Sequence, residues 1–218
     1  MKSSLAPLLG LAQGALAVVY GFDISSYQPS VNFAGAYASG ARFVIIKATE
    51  GLSYIDKYFS SHYTGATNAG FIRGGYHYAH MDISSGAAQA DYFLAHGGGW
   101  TSDGITLPGM LDLEGSCVLS AAGAVNWIAD FSNRYHSRTG VYPLLYTNPS
   151  WWAECTGNSN AFVNTNPLVL AHYSSSAGTP PGGWPFYSFW QYNDHYAYGG
   201  DSELWNGDMA GLLRLARG

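Results

Sequence analysis

The sequence predicts an α/β fold, a parallel barrel in a single domain whose later helices are short or missing. Three observations predict it. Apolar, β-branched runs alternate with helix-period stretches through the first five units and then give way to strand-rich chain. The runs end in polar or acidic residues, which puts a polar rim at the carboxyl ends of the strands, where α/β barrels keep their chemistry. Setting aside an N-terminal leader leaves about 200 residues, enough for one sizeable core without a second domain.

Residues 1–17 read as a secretory signal peptide. Lys2 precedes an uncharged stretch that is apolar around Leu5 to Leu11, and Ala15-Leu16-Ala17 supplies a small-x-small cleavage site. Pro7, Gly10, Gln13 and Gly14 interrupt a stretch already too short to span a bilayer, and no other segment qualifies. The expectation is a secreted, extracellular, monomeric chain of residues 18–218 that does not insert into a membrane.

That chain opens on Val18 to Ser25, VVYGFDIS, an apolar strand ending in Asp23. Burying an acid there is costly unless it is paired or lines a cleft; the plainer alternative is a cap or turn role beside Ser25 and Ser26. Val31 to Gly40 is a short helix, and Arg42 to Thr49, RFVIIKAT, a buried strand with Lys47, Thr49 and Glu50 at its end. Asp56 to Asn68 is helical in pattern and stops at Gly70. In the next strand, Phe71 to His80, Tyr76 and Tyr78 share one face, and His77 shares the other with Arg73 and Ala79. Gly86 to His96 is again helical. The following Gly97-Gly98-Gly99 lacks the Lys-Ser/Thr pair of a phosphate loop. Ala121 to Arg138 is the longest helix, with Val125, Ile128, Ala129, Phe131, Ser132 and Tyr135 on one stripe and Gly140 as its stop. Val141 to Thr147, Pro167 to Tyr173 and Tyr187 to Tyr192 complete the strands, Trp151-Trp152 lying just beyond the first of them. Leu204 to Leu215 closes the chain and places Asp208 before a short apolar helix.

Between the third strand and the long helix lies LPGMLDLEGSC, residues 107–117. Alternation along this strand puts Asp112 and Glu114 on one face, about 6.5 Å apart along the chain. Two carboxyls that close titrate together and can reach one sugar ring. The plain alternative is a half-exposed strand with an acidic outer face.

Composition narrows the partners. Only 11% of the residues are charged and 16% are aromatic, including 17 Tyr and 7 Trp. Tyr and Trp pair a flat apolar face with a polar tip, which suits stacking on sugars, whereas most of the Phe are expected in the core. Without Lys2 the net charge is about −6 with neutral His, and no basic patch exists to hold phosphates, so nucleic acid is excluded as a partner. In an oxidising compartment Cys117 and Cys155 are expected to form one disulfide; a zinc site is the weaker alternative, because their spacing fits no metal motif. His77 and His80 face opposite sides of a strand, so no metal and no cofactor is expected.

GFDISSYQ at 21–28, FVIIKATEG at 43–51, GGYHYAH at 74–80, MLDLEG at 110–115, LAHYS at 170–174 and FWQYND at 189–194 together resemble glycoside hydrolase family 25, the Chalaropsis-type lysozymes. The resemblance runs in order over almost the whole mature chain. It implies a flattened, TIM-like (β/α)5(β)3 barrel and β-1,4-N-acetylmuramidase activity on the glycan strands of peptidoglycan. Carried over by motif, Asp23, Asp112 and Glu114 match the family's catalytic carboxylates, and Asp208 is matched to the aspartate of the C-terminal VDLN-like element, with Asp201 as its competitor. The expected roles are Glu114 as a protonated general acid and Asp112 as an ionised neighbour that orients the substrate's acetamido group, giving substrate-assisted hydrolysis with net retention. Tyr76, Tyr78, Tyr146, Tyr173, Trp190 and Gln191 are the expected substrate-binding residues. The competing readings are a non-catalytic secreted carbohydrate-binding protein and a chitinase-like glycosidase.

Overall fold

The computed structural model describes residues 18–218; the expected signal peptide, residues 1–17, lies outside the described residues. In chain order the elements are β1 (Val19–Ile24), α1 (Phe33–Ala38), β2 (Ala41–Glu50), β3 (Tyr54–Ile55), α2 (Phe59–Asn68), β4 (Ile72–Tyr78), α3 (Gly86–Ala95), β5 (Met110–Asp112), α4 (Ala121–Thr139), β6 (Leu144–Thr147), α5 (Pro149–Thr156), β7 (Leu168–Ala171), β8 (Phe189–Asn193), β9 (Asp201–Trp205) and α6 (Met209–Arg217).

Eight strands close a barrel in the order β1-β2-β4-β5-β6-β7-β8-β9, and β9 pairs back onto β1. The two-residue β3 only extends the end of β2. Five strand–helix units followed by three strands give the expected (β/α)5(β)3 barrel in one domain. Every pairing from β1 round to β8 is parallel, but β9 is antiparallel to both of its neighbours. The short 194–200 link cannot carry a parallel crossover, so the last strand must return in the opposite direction.

Strand alternation divides the apolar residues into two cores. Phe22, Ile24, Val44, Ile46, Leu111 and Leu145 point outward under the helices, while Val19, Phe43, Ile45, Met110, Val169 and Phe189 fill the barrel. Helix α6 closes the amino-terminal end, with Leu212 and Ala216 fully buried against that interior. Of the ten Phe only Phe186 is exposed, which confirms their core role. Helix α4 buries Ala124, Trp127, Ile128, Phe131, Ser132 and Tyr135, with Val125 and Ala129 at the edge of the stripe. The Tyr135 hydroxyl accepts from Gly109 N at 2.7 Å and donates to Gly98 O at 2.8 Å, so the glycine run lets backbone pack closely under a helix. A Cβ at Gly98 would sit 2.4 Å from the Phe93 ring. Trp151 and Trp152, read from sequence only as lying past a strand, belong to α5. Cys117 and Cys155 form the expected disulfide, which ties the loop after β5 to that helix.

Candidate active site

With the lower barrel filled and plugged, the open end is the carboxyl rim, and there the inward-facing positions turn polar. Asp23 lies one residue before the end of β1, Lys47 and Glu50 lie toward the end of β2, Tyr76 and Tyr78 close β4, and Asp112 ends β5, with Glu114 two residues on. Asp201 begins β9 and lies opposite Asp23 in the ladder. These residues line one cavity of about 410 Å³ together with Tyr27 and Gln28. Two further depressions open from it. One of about 210 Å³ runs over Tyr78, His80, Met81, Val118 and Trp151, and one of about 360 Å³ over Tyr146, Asn148, His172 and Tyr173. Glu114 borders all three, so the depressions adjoin at this residue as one groove.

A register shift between Lys47 and Thr49 puts Lys47 and Glu50 on the same side of β2 despite their i, i+3 spacing. Lys47 Nζ bonds Glu50 Oε2 at 2.7 Å and lies over the Tyr78 ring at 4.9 Å; Glu50 Oε1 meets His80 Nε2 at 2.8 Å. Thr49 is turned outward, where it bonds His77 Nδ1 at 2.8 Å. His77 also meets Gln89 at 2.9 Å, and burial pushes its pKa down to about 4. His77 is therefore a neutral core residue.

On the opposite wall Gln191 organises the carboxylates. Its Nε2 donates to Asp23 Oδ2 at 2.7 Å and to Asp201 Oδ2 at 3.3 Å, while its Oε1 accepts from the hydroxyls of Tyr146 and Tyr173, both at 2.9 Å. The reverse amide orientation would point oxygen at two carboxylates, so the network assigns this one. Beneath it, Glu203 of β9 is fully buried, in register with both Gln191 and Gly21.

Crowding raises the proton affinity of the whole group. Burial, then Asp201, pushes Asp23 up to about 7, against the lowering effect of the Gln191 hydrogen bond. Burial, then Glu114, pushes Asp112 well above the carboxylate range; it is 5% exposed and its Oδ1 has no hydrogen-bond partner. Glu114 is raised as well, by burial of its carboxyl between the cleft walls and by Asp201 and Glu50, although Lys47 opposes the shift. By surface area Glu114 is nonetheless exposed, so it is the more open member of the pair. In the free protein the enclosed, donor-poor Asp112 has a stronger reason to be neutral than the more open Glu114.

The structure brings Asp23, Asp112, Glu114, Tyr76, Tyr78, Tyr146 and Tyr173 to the groove, buries Gln191 directly behind its wall, and leaves two expected residues out. Asp208 caps α6, accepting from Gly211 N at 2.7 Å. Because β9 runs antiparallel, everything after Trp205 lies at the amino-terminal end, roughly 13 Å of strand away from the rim; Asp201, the competitor, occupies the site instead. Trp190 is the outward neighbour of the inward Gln191 and packs on Tyr187 and Tyr192, with its Nε1 donating to His172 O at 2.8 Å. Glu203 and the 89%-exposed Tyr27 at the groove's lip escaped the sequence reading. Tyr27 stands within the 21–28 stretch that carried the resemblance, whereas Glu203 has no comparable local signal.

This arrangement has known counterparts. Residues 22–201 match the family model for glycosyl hydrolases family 25. The chain is 67% identical over 210 residues to an N,O-diacetylmuramidase of Chalaropsis sp., covering 92% of this chain and all of that one. It is 55% identical over 235 residues to an N,O-diacetylmuramidase of Arthroderma benhamiae, covering the whole of both. The solved structure of a muramidase from Trichobolus zukalii superposes with a TM-score of 0.90 at 64% identity, over 91% of this chain and 99% of that one. The chain thus belongs to glycosyl hydrolase family 25 and is a glycoside hydrolase of the lysozyme class.

Proposed function

We propose that this enzyme is a secreted muramidase that hydrolyses the β-1,4 bond between N-acetylmuramic acid and N-acetylglucosamine in peptidoglycan, by substrate assistance and with net retention. The observation that carries the reading is the position of Glu114 at the junction of three depressions, where a glycan strand laid along the groove passes over one accessible acid. The names of the similar proteins, N,O-diacetylmuramidase and muramidase, support the substrate class and make O-acetylated muramic acid a substrate to test beside the unmodified sugar. The disulfide supports an oxidising, extracellular destination.

In this mechanism Glu114 gives its proton to the glycosidic oxygen as the bond to C1 breaks. The acetamido oxygen of the same sugar bonds to C1, since Asp112 lies beside the acid and not across the ring. Asp112 accepts the acetamido N–H. That new donor stabilises its ionised form and leaves the pair's shared proton on Glu114. Water then attacks C1 from the face the leaving group vacated, losing its proton to Glu114 while the C1 bond to the acetamido oxygen breaks and the acetamide is restored. Tyr27 and Tyr173 at the lips offer faces for the flanking sugars.

Clearing of purified peptidoglycan by the wild type and by Glu114→Gln tests the reading, with mass spectrometry of the new reducing ends and NMR of the first anomer released. The expected results are muramic acid at those ends, the β anomer first, and a loss of about 10²–10⁴-fold in the variant. Binding without clearing by the wild type would refute the muramidase, faster cleavage of chitin would reassign the substrate, and an inverted product would refute the retaining route.

A further inference from the structure

We infer that Glu203 is a positioning residue that stays protonated beneath the site and donates a hydrogen bond to Asp23, fixing Asp23 as the ionised member of a carboxyl–carboxylate pair. The inference rests on the proposed muramidase site, because Asp23 matters through that chemistry.

Glu203 is fully buried, and neither of its carboxyl oxygens has a nitrogen or hydroxyl partner. A side chain in that state is unfavourable as an anion and needs an acceptor when neutral. The ladder shows what stands beside it: Gly21 on β1, where a Cβ would meet the Phe43 ring at 2.5 Å, and Gln191 on β8. Gln191 is fully used by Asp23, Asp201 and two tyrosine hydroxyls, so it has no proton left for Glu203. The remaining partner is the Asp23 carboxyl: with Gly21 opposite Glu203 and Asp23 opposite Asp201, Asp23 and Glu203 are diagonal neighbours on the inner face of β1 and β9, the placement in which two carboxyls can share a hydrogen bond. Two carboxyls can share one only if one of them keeps a proton. Asp23 already receives an N–H from Gln191 at 2.7 Å and Glu203 receives none, so the charge settles on Asp23 and the proton on Glu203. Asp23 and Asp201 are the charged groups facing Glu203, and both push it toward the neutral form. Held from below by Glu203 and from the side by Gln191, Asp23 presents its edge to the cleft in one orientation.

The pair of variants Glu203→Gln and Glu203→Leu tests this. An amide still donates N–H to Asp23, so Glu203→Gln should retain peptidoglycan clearing within about threefold. Glu203→Leu removes the donor and should lower kcat by roughly 10- to 100-fold with little change in KM, and shift the acidic limb of the pH profile. Infrared spectra of the free wild type at neutral pH should contain a protonated-carboxyl band that Glu203→Gln removes. That measurement needs no turnover, so it stands even if Glu114→Gln refutes the muramidase reading. A Glu203→Gln variant as impaired as Glu203→Leu, full activity in Glu203→Leu, or an infrared band unchanged in Glu203→Gln would each overturn the proposal.

Discussion

Replacing Asp23 by Asn should stabilise the protein at neutral pH while disabling the site. The reasoning starts from proton affinity: burial and Asp201 raise Asp23 from its ordinary 3.8 to about 7. A carboxyl raised on folding binds its proton more tightly in the native state than in the unfolded chain, so stability falls as pH climbs from the unfolded value through the folded one. At about 1.36 kcal/mol per tenfold change in proton affinity, the full interval is worth about 4 kcal/mol above pH 7. Asp23 keeps some of its surface open to the cleft and shares its charge with Asp201 and Glu203, so a gain of about 2–4 kcal/mol is the expectation for Asp23→Asn at pH 8. The Asn oxygen still accepts from Gln191 and the fold is undisturbed. Urea unfolding should show the variant's midpoint about 1 M or more above wild type at pH 8, with the difference nearly gone at pH 4. Peptidoglycan clearing should fall in the same variant, the pattern of a site that holds charge against stability. Equal midpoints at pH 8, or an equal gain at both pH values, would show that Asp23 carries no buried charge and would remove the electrostatic basis of the site described above.

Two further outcomes separate the site from the scaffold. Asp208→Ala should leave clearing of peptidoglycan unchanged and cost about 0.5–2 kcal/mol in a urea melt, because the side chain caps α6 at the far end of the barrel. Cys155→Ser should lower stability by about 4 kcal/mol on the chain-entropy model for a cross-link spanning 38 positions, and reducing agent should then have no additional effect on the variant's unfolding midpoint.

The barrel was legible because its strands end in chemistry. Asp23 closes VVYGFDIS and Glu114 follows MLDL, so an apolar run with a polar terminus marks both the element and the rim it points to. Helix α4 announced itself by its stripe, and the disulfide by compartment and number. What failed was direction and facing. Trp190 has the aromatic character expected of a cleft residue, yet it is one residue from the inward Gln191, and a single step along a strand reverses the face. The sequence neighbours of Asp208 match a site motif, and only the antiparallel course of β9 shows that it is Asp201, at the start of the strand, that reaches the rim.

The same strand explains why Glu203 could not be read. In DSELW the residues at positions 201, 203 and 205 turn inward and Leu204 turns out, so the buried face of the upper barrel is the polar one. A strand reader looks for apolar residues every second position and takes acids at that period for solvent-facing ones. Inside a barrel mouth that expectation inverts, because the interior there is the binding site and its acids face one another. Gln191 shows the arrangement most clearly: one amide orders two carboxylates and two tyrosines that come from four different strands or strand ends. No local window contains such a set. It exists only once the barrel closes, so the acids of β9 acquire their meaning from β1 and β8 and not from the residues beside them in the chain.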